Sequence, residues 1–320
     1  MASFWRDTTT LVTGGAGFLG SAIVERLAAL DCGDIVVPRS TDHDLRNGDV
    51  ATEYFASVKP DVVIHLAARV GGIGANQARP AELYLDNLLL GTSVIEAARL
   101  AEVAKTVVVG TICSYPKFTP VPFREESLWT GFPEETNAPY GIAKLAQLVH
   151  LQANRDQYGQ RGVYLMPTNL YGPGDKFHPD VSHVIPALIK KCVEARNAGA
   201  ESISVWGSGS ASREFLYVDD AARGVVAAAE HYDGPEPVNL GANDEIAIKA
   251  LVELIANLVG FSGHIEWDST RPDGQPRRCV DASRAHEAFG FTAETSFVDG
   301  LRRTIDWYEA NPAQAESALI

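Results

Sequence analysis

Cysteine is scarce and scattered. Cys32, Cys113, Cys192 and Cys279 form no CxxC pair, so neither a disulfide framework nor a structural zinc site is expected, and no metal of any kind. No apolar run reaches the roughly 18 residues of a membrane span. The first residues, MASFWRDTTT, lack a basic segment followed by an apolar one, so no secretory signal is expected. Positive charge is in deficit: 27 Lys and Arg stand against 41 Asp and Glu, a formal net charge of −14. That balance argues against nucleic acid or an anionic membrane as partner, and it leaves an anionic ligand dependent on a local cluster of cations. Internal repeats and low-complexity tracts are missing too. A cytoplasmic protein with free thiols is the expectation.

The 320 residues are 46% hydrophobic and 21% charged, which removes disorder as the default. Short β-branched runs alternate with helical patterns. Thr10–Thr13, Asp34–Val37, Asp61–Leu66 and Thr106–Val109 read as buried strands, with helices around 20–30, 49–58 and 83–101 between them. A helix over 140–158 and a strand at 163–168 continue the series. Such alternation predicts a parallel sheet covered on both faces, the doubly wound α/β (Rossmann) fold. After Tyr171-Gly-Pro-Gly174 the elements shorten and Pro and Gly punctuate them. The expected organisation is a dinucleotide-binding domain over 1–172 and a smaller substrate-binding lobe over 173–320, with segments near 212–241 returning to the first.

Thr13-Gly14-Gly15-Ala16-Gly17-Phe18-Leu19-Gly20 follows the first strand and opens the first helix. Gly14, Gly17 and Gly20 permit a tight turn, close backbone approach to a pyrophosphate and close helix packing, while the helix N-terminus, with Phe18 and Leu19, offers unsatisfied N–H groups. An NAD site places an acid at the end of the second strand. Here Val37-Pro38-Arg39-Ser40 stands instead, which favours NADP over NAD, with Arg39 and Ser40 on the 2′-phosphate; a solvated surface Arg39 is the alternative. Asp44-Leu45 suits the adenine edge. Leu66-Ala67-Ala68, counted at the end of a fourth strand, offers small side chains beside the cofactor.

Tyr140 and Lys144 lie four apart on a predicted helix and share one face. An ammonium beside a phenol stabilises the phenolate and brings its pKa toward neutrality, as needed to protonate a carbonyl oxygen when hydride reaches its carbon. Gly110-Thr111-Ile112-Cys113 follows what counts as the fifth strand. Thr111 either holds the carbonyl or caps the strand. Cys113 either faces the same cavity or fills the core.

On these residues the chain resembles the extended short-chain dehydrogenase/reductase family, of NAD-dependent epimerase/dehydratase type. The specific segments are His65–Gly74, Cys113–Lys117, Asn137–Lys144, Tyr171–Pro179, Ser182–Ala187 and Arg213–Asp220. They are most similar to the subgroup that epimerises GDP-4-keto-6-deoxy-D-mannose at C3 and C5 and then reduces C4. That resemblance implies an acid/base pair of Cys113 and His183, whose ordinary pKa values lie near neutrality, with Tyr140 as proton donor to the C4 oxygen during reduction by NADPH. His178 is then structural or substrate-adjacent. Lys191, Arg213 and Arg278 would line the substrate pyrophosphate, with Lys190 and Arg277 beside two of them. Trp206 either packs on the base or belongs to the core. Asp219-Asp220 begin a helix. Dimerisation through a four-helix bundle over 83–101 and 140–158 is also implied.

The subgroup commonly carries Ser-Ser before the Cys, where this chain has Thr111-Ile112. Ile112 is expected to crowd or dry the wall near the sugar. Epimerisation without net reduction, or reaction on a different GDP-hexose such as a dideoxy sugar, is the alternative. A non-catalytic dinucleotide sensor is more distant, since it needs no Tyr, Lys, Cys and His together.

Overall fold

The computed structural model describes residues 4–71, 73–179, 181–271 and 274–317, apart from the side chains of Ile73 and Ala75. Gly72 of the Val-Gly-Gly-Ile segment and Pro272–Asp273 of the turn after Arg271 lie outside the described residues. Elements run β1 (Thr9–Thr13), α1 (Phe18–Ala29), β2 (Asp34–Val36), α2 (Gly48–Val58), β3 (Val62–His65), α3 (Ile73–Ala78), α4 (Pro80–Leu100), β4 (Lys105–Val109), α5 (Ala138–Tyr158), β5 (Gly162–Pro167) and β6 (Asn169–Tyr171). They continue as α6 (Val184–Ala198), β7 (Ser202–Trp206), β8 (Ser212–Tyr217), α7 (Val218–His231), β9 (Val238–Leu240), β10 (Glu245–Ala247), α8 (Ile248–Val259), β11 (His264–Asp268), β12 (Arg277–Arg278), α9 (Ser283–Phe289), α10 (Phe297–Ala310) and α11 (Pro312–Ala315).

Six parallel strands form the central sheet in the order β2-β1-β3-β4-β5-β9. Their β-branched residues alternate between two dry layers. Val12, Ile64, Val107 and Leu165 pack with α1 and α7, whereas Leu11 and Val63 pack with α2 and α4. Val108 and Tyr164 enter that second layer against Leu145 and Leu148 of α5. Burial on both faces is why these strands are almost continuously apolar. The switch in strand order beside β1 leaves a crevice at the carboxyl ends of the strands, where ligands of such sheets bind.

A second core gathers α6, α8 and α10 around β7, β8 and β11. Strand β8 organises it, pairing with β10, β12 and β6. The chain then returns: α7 packs on the α1 side and β9 pairs with β5.

Two sequence expectations change. No strand intervenes between β2 and β3, so Leu66–Ala68 follow the third strand and Thr111 the fourth. Helices α1, α4 and α5 begin two or three residues before the apolar pattern does. For α4 and α5 a proline occupies the first turn, where its missing N–H costs nothing and its fixed φ suits the helix.

Candidate active site

The glycine turn is built for close approach. Gly14 has φ +74°, and a Cβ there would stand 2.8 Å from the Ala67 nitrogen, across the crevice at the end of β3. A Cβ on Gly20 would meet the Gly14 carbonyl at 2.1 Å. Gly17 caps α1 without a side-chain hydrogen bond. The first-turn N–H groups of Phe18, Leu19 and Gly20 are those a helix leaves for an anion. The cradle therefore fits a dinucleotide pyrophosphate, on geometry that any side chain would fill.

Arg39 and Ser40 lie exposed just beyond β2. Among the described residues the Arg39 guanidinium has no hydrogen bond or ion pair, in contrast to Arg46, which grips Asp44 through two nitrogens and Asp86 through a third. Arg69 adds a second cation on Asp86. The Asp44 carboxylate is thus already engaged. Leu45 is buried beside Leu11 and Phe55, so any contact it makes with an adenine is through its backbone. Leu66, Ala67 and Ala68 are half-buried along the crevice.

Beyond β4 the chain makes a 3-10 turn, Ile112–Ser114, capped by Thr111, whose Oγ1 accepts the Cys113 N–H at 3.1 Å. The capping role and a carbonyl-holding role coexist, because the hydroxyl proton is still free to donate. Ile112 points away from the crevice into the core with Val108, Leu145 and Leu148. It does not crowd the sugar wall as the sequence had suggested; in a turn this tight its side chain falls on the opposite side from its neighbours'. Ser114, which the sequence did not single out, donates to the Gly141 carbonyl at 2.9 Å. A Cβ on Gly141 would meet the Cys113 carbonyl at 2.6 Å. Helix α5 therefore docks its first turn directly on the cysteine's backbone, and Tyr140 and Lys144 with it.

Lys144 is 1% exposed, and burial lowers its pKa to about 7. Tyr164 donates to the Lys144 carbonyl at 2.8 Å, fixing the helix from below. Tyr140 is half-buried. Its phenol is pushed well above its usual range, first by the protein packed around it and then by negative charge on nearby Cys113. The expectation of a lowered phenol is overturned here. Desolvation sets the phenol here, and the Lys144 amine, lowered by burial to about 7, is only partly charged near neutrality. A phenol held protonated is the form that donates.

Cys113 is half-buried, and Arg278 Nη2 donates to its Sγ at 3.4 Å. The parallel register of β12 on β8 sets Arg278 beside half-buried Arg213, whose Nη1 donates to the Ser212 carbonyl. The Arg278 Nε is buried without a partner. Arg277 turns away to Glu245. His183 caps α6 in an extended conformation, and its ring makes no capping hydrogen bond. Its imidazole opens to solvent, yet surrounding protein and then the Lys176 charge lower its pKa. Next to Lys176, Asp175 is buried with one carboxylate oxygen unpartnered, and burial pushes it up to about 7. The sequence assigned neither residue a role. The His178 carbonyl accepts the N–H groups of Val181 and Ser182, closing the turn before α6.

Of the remaining cations, Lys191 reaches the Ser204 carbonyl at 2.5 Å, while Lys190 is taken by Glu194 and Glu316. Trp206 is 67% exposed, with the Arg271 guanidinium 5.0 Å over its ring; it is not a core residue. Asp219 and Asp220 lie in the first turn of α7, and Asp220 holds Arg223 and the N–H groups of Glu294 and Thr295.

A model of the NAD dependent epimerase/dehydratase family matches residues 10–241. The chain is 45% identical over 307 residues to GDP-L-fucose synthase 1 of Arabidopsis thaliana, covering 96% of this chain and 94% of that one. It is 41% identical over 302 residues to GDP-L-fucose synthase of Sinorhizobium fredii, covering 94% and 96%. Among solved structures it is similar to a GDP-L-fucose synthetase from Naegleria fowleri bound to NADP, with TM-score 0.90, 30% identity and coverage of 98% and 96%.

Proposed function

The chain belongs to the NAD dependent epimerase/dehydratase family, and from that premise we infer that it makes GDP-L-fucose from GDP-4-keto-6-deoxy-D-mannose, by epimerisation at C3 and C5 followed by reduction at C4. The observation that carries this reading is that the helix bearing the carbonyl-reduction pair packs directly on the backbone of Cys113, the thiol of the assigned carbon-acid pair. Tyr140 and Lys144 ride on the helix that docks against Cys113. A reductase alone has no need of a thiol beside its phenol.

A nicotinamide dinucleotide, held by Gly14, Gly17, Phe18, Leu19 and Gly20 with Leu66–Ala68 alongside, supplies hydride to C4 when bound. NADP is the preferred form, on the strength of the unpartnered Arg39 with Ser40 beside it. Asp44 and the Leu45 backbone border the adenine. Thr111 holds the C4 carbonyl while Cys113 and His183 remove and return protons at C3 and C5 on opposite faces. The protonated Tyr140 then donates to the C4 oxygen, and Lys144 offsets the charge that develops on it. Arg213, Arg278 and Lys191 hold the pyrophosphate, and Trp206 offers an aromatic face to the base. Ile112, buried under the turn, gives no reason to prefer another hexose.

In this reading the dinucleotide lies with 1–172, to which α7 and β9 of the 212–241 stretch return, and the nucleotide-sugar mainly with the rest of 173–320. Exposed Tyr84, Leu85 and Leu89 on α4 and Val149 on α5 support a homodimer through a four-helix bundle. A cytoplasmic location accords with the scattered thiols. No helix among the described residues is long and apolar enough to cross a membrane.

Purified protein, NADPH and GDP-4-keto-6-deoxymannose in heavy water test the assignment. NADPH consumption with deuterium at C3 and C5 is expected. Exchange without NADPH loss would reduce the activity to an epimerase, and neither signal would refute the substrate.

A further inference from the structure

A cysteine takes a proton from carbon only as a thiolate. A free thiol, with a pKa of about 8.5, is mostly protonated at neutral pH. The role assigned to Cys113 therefore calls for a neighbour that favours negative charge on the sulfur. Thr111 is not that neighbour, because its hydroxyl oxygen takes the Cys113 N–H. Tyr140 holds its own proton and brings no charge.

Arg278 does reach the sulfur, its Nη2 donating to the Cys113 Sγ at 3.4 Å. Among the described residues no carboxylate pairs with the Arg278 guanidinium, although Arg277 beside it is taken by Glu245. The Arg278 Nε is buried without a partner. A half-buried cation whose one acceptor among the described residues is a sulfur is poorly served by a neutral S–H, a weak acceptor. A thiolate serves it well.

Backbone on both sides holds this contact in place. The chain around Arg278 is stitched to the segment that follows Cys113: Gln275 Nε2 donates to the Lys117 carbonyl at 2.8 Å, and the Phe123 N–H to the Cys279 carbonyl at 2.8 Å. Strand β12 adds to β8, where Arg213 is the register partner of Arg278. On the cysteine side, the Thr111 cap and the close approach of Gly141 to the Cys113 carbonyl hold the turn.

We propose that Arg278 is a positioning residue for the epimerisation, whose guanidinium holds Cys113 as the thiolate through Nη2 and leaves Nη1 for the substrate pyrophosphate. When that sulfur takes the proton from a carbon beside C4, an S–H bond forms. The C–H electron pair passes into the carbonyl, and negative charge moves from the sulfur to the C4 oxygen. The proposal rests on the reading of Cys113 as an acid/base group. The ionisable groups set against the sulfur are Arg278 on β12 and Tyr140 on α5, with Arg213 of β8 beside Arg278.

The test needs no substrate. Alkylation of Cys113 by iodoacetamide, a neutral reagent, is followed by mass spectrometry at about pH 7 against a free cysteine peptide. Losing the cation lowers the thiolate fraction, so Arg278→Gln labels Cys113 about tenfold or more slowly than the parent. Arg278→Lys, which keeps a cation there, labels faster than Arg278→Gln. Arg277→Gln removes an equal but solvent-exposed charge one residue away and stays within about twofold of the parent. A guanidinium that only covers the sulfur gives the opposite sign, because Arg278→Gln then opens access. Labelling in Arg278→Gln at the parental rate or faster, or no faster in Arg278→Lys than in Arg278→Gln, overturns the proposal. If Arg278→Gln does not fold, the parent decides. From about pH 8 to 6 an ordinary thiol loses roughly a hundredfold in labelling rate, whereas Cys113 is expected to lose less than about tenfold, and a larger loss overturns the proposal. With substrate, deuterium uptake at saturation falls in Arg278→Gln along with the labelling; a guanidinium serving the pyrophosphate alone would raise the KM and leave both in place. A parent protein that exchanges no deuterium defeats the assigned reaction and leaves the labelling result standing.

Discussion

Replacing Gly20 by alanine tests the cradle more sharply than removing any charged group. The added Cβ would stand 2.1 Å from the Gly14 carbonyl oxygen and 2.6 Å from the Gly15 Cα. Both obstacles are backbone, so no side chain can swing aside. Helix α1 must move away from the turn by roughly 1 Å to restore ordinary contact, and overpacking of this kind costs about 1–3 kcal/mol. The same displacement withdraws the first-turn N–H groups from a phosphate. Losing even one hydrogen bond to a charged oxygen is worth about 1.5–3 kcal/mol, or roughly a ten- to hundredfold rise in the NADPH dissociation constant. Calorimetric titration with NADPH, beside thermal melting, reads both effects. Gly48→Ala is the matched control: it too lies in the first turn of a helix, and the nearest atom to its added Cβ is Ser93 Oγ at 3.8 Å. It is expected to bind NADPH as the parent does and to melt no lower. If Gly20→Ala bound NADPH within about twofold of the parent without loss of melting temperature, the close packing of α1 on the turn would not be what shapes the site.

Cys113→Ser is expected to slow deuterium uptake at C3 and C5 by about a hundredfold or more while NADPH affinity holds, since a hydroxyl is a far weaker base than a thiolate; uptake at the parental rate in heavy water removes the thiol from the chemistry. Arg39→Ala should raise the KM for NADPH about tenfold and leave that for NADH alone, because only the 2′-phosphate distinguishes them; equal effects on both in steady-state kinetics contradict the assignment. Asp175 is pushed up to about 7 by burial, so the folded state holds its proton where the unfolded chain has lost it. Its contribution to stability is complete below the ordinary carboxyl range and fades, by up to about 1.4 kcal/mol per pH unit, as pH rises toward 7. Asp175→Asn should therefore gain melting temperature over the parent at about pH 8 and gain little or nothing at about pH 4, and a difference independent of pH would show that the carboxyl titrates elsewhere.

Much of this site is written locally. The strand, glycine turn and helix occur in sequence order, and the four-residue spacing of Tyr140 and Lys144 marks one helical face. What escaped the sequence depends on direction and distance. Ile112 and Cys113 are adjacent, yet the 3-10 turn sends one into the core and the other to the crevice. Leu45 follows Asp44 into a position that reads as an adenine wall, but the apolar demand of α2 claims its side chain. Arg278 meets Cys113 across 165 residues, and only the pairing of β12 with β8 brings them together. No local pattern encodes that encounter.

The protonation states were the least legible of all, and they bear most directly on the chemistry. Sequence spacing alone made Lys144 an ammonium that lowers the Tyr140 phenol. Burial reverses the emphasis, because it disfavours the charged form of both groups, raising the phenol and lowering the amine. The pair is thus set with the proton on tyrosine and a lysine poised near neutrality. A protonated phenol is the form that can give a proton to an oxygen as hydride arrives. Under the proposed reading, Tyr140 gives its proton to the C4 oxygen after the Cys113 thiol has served the epimerisation.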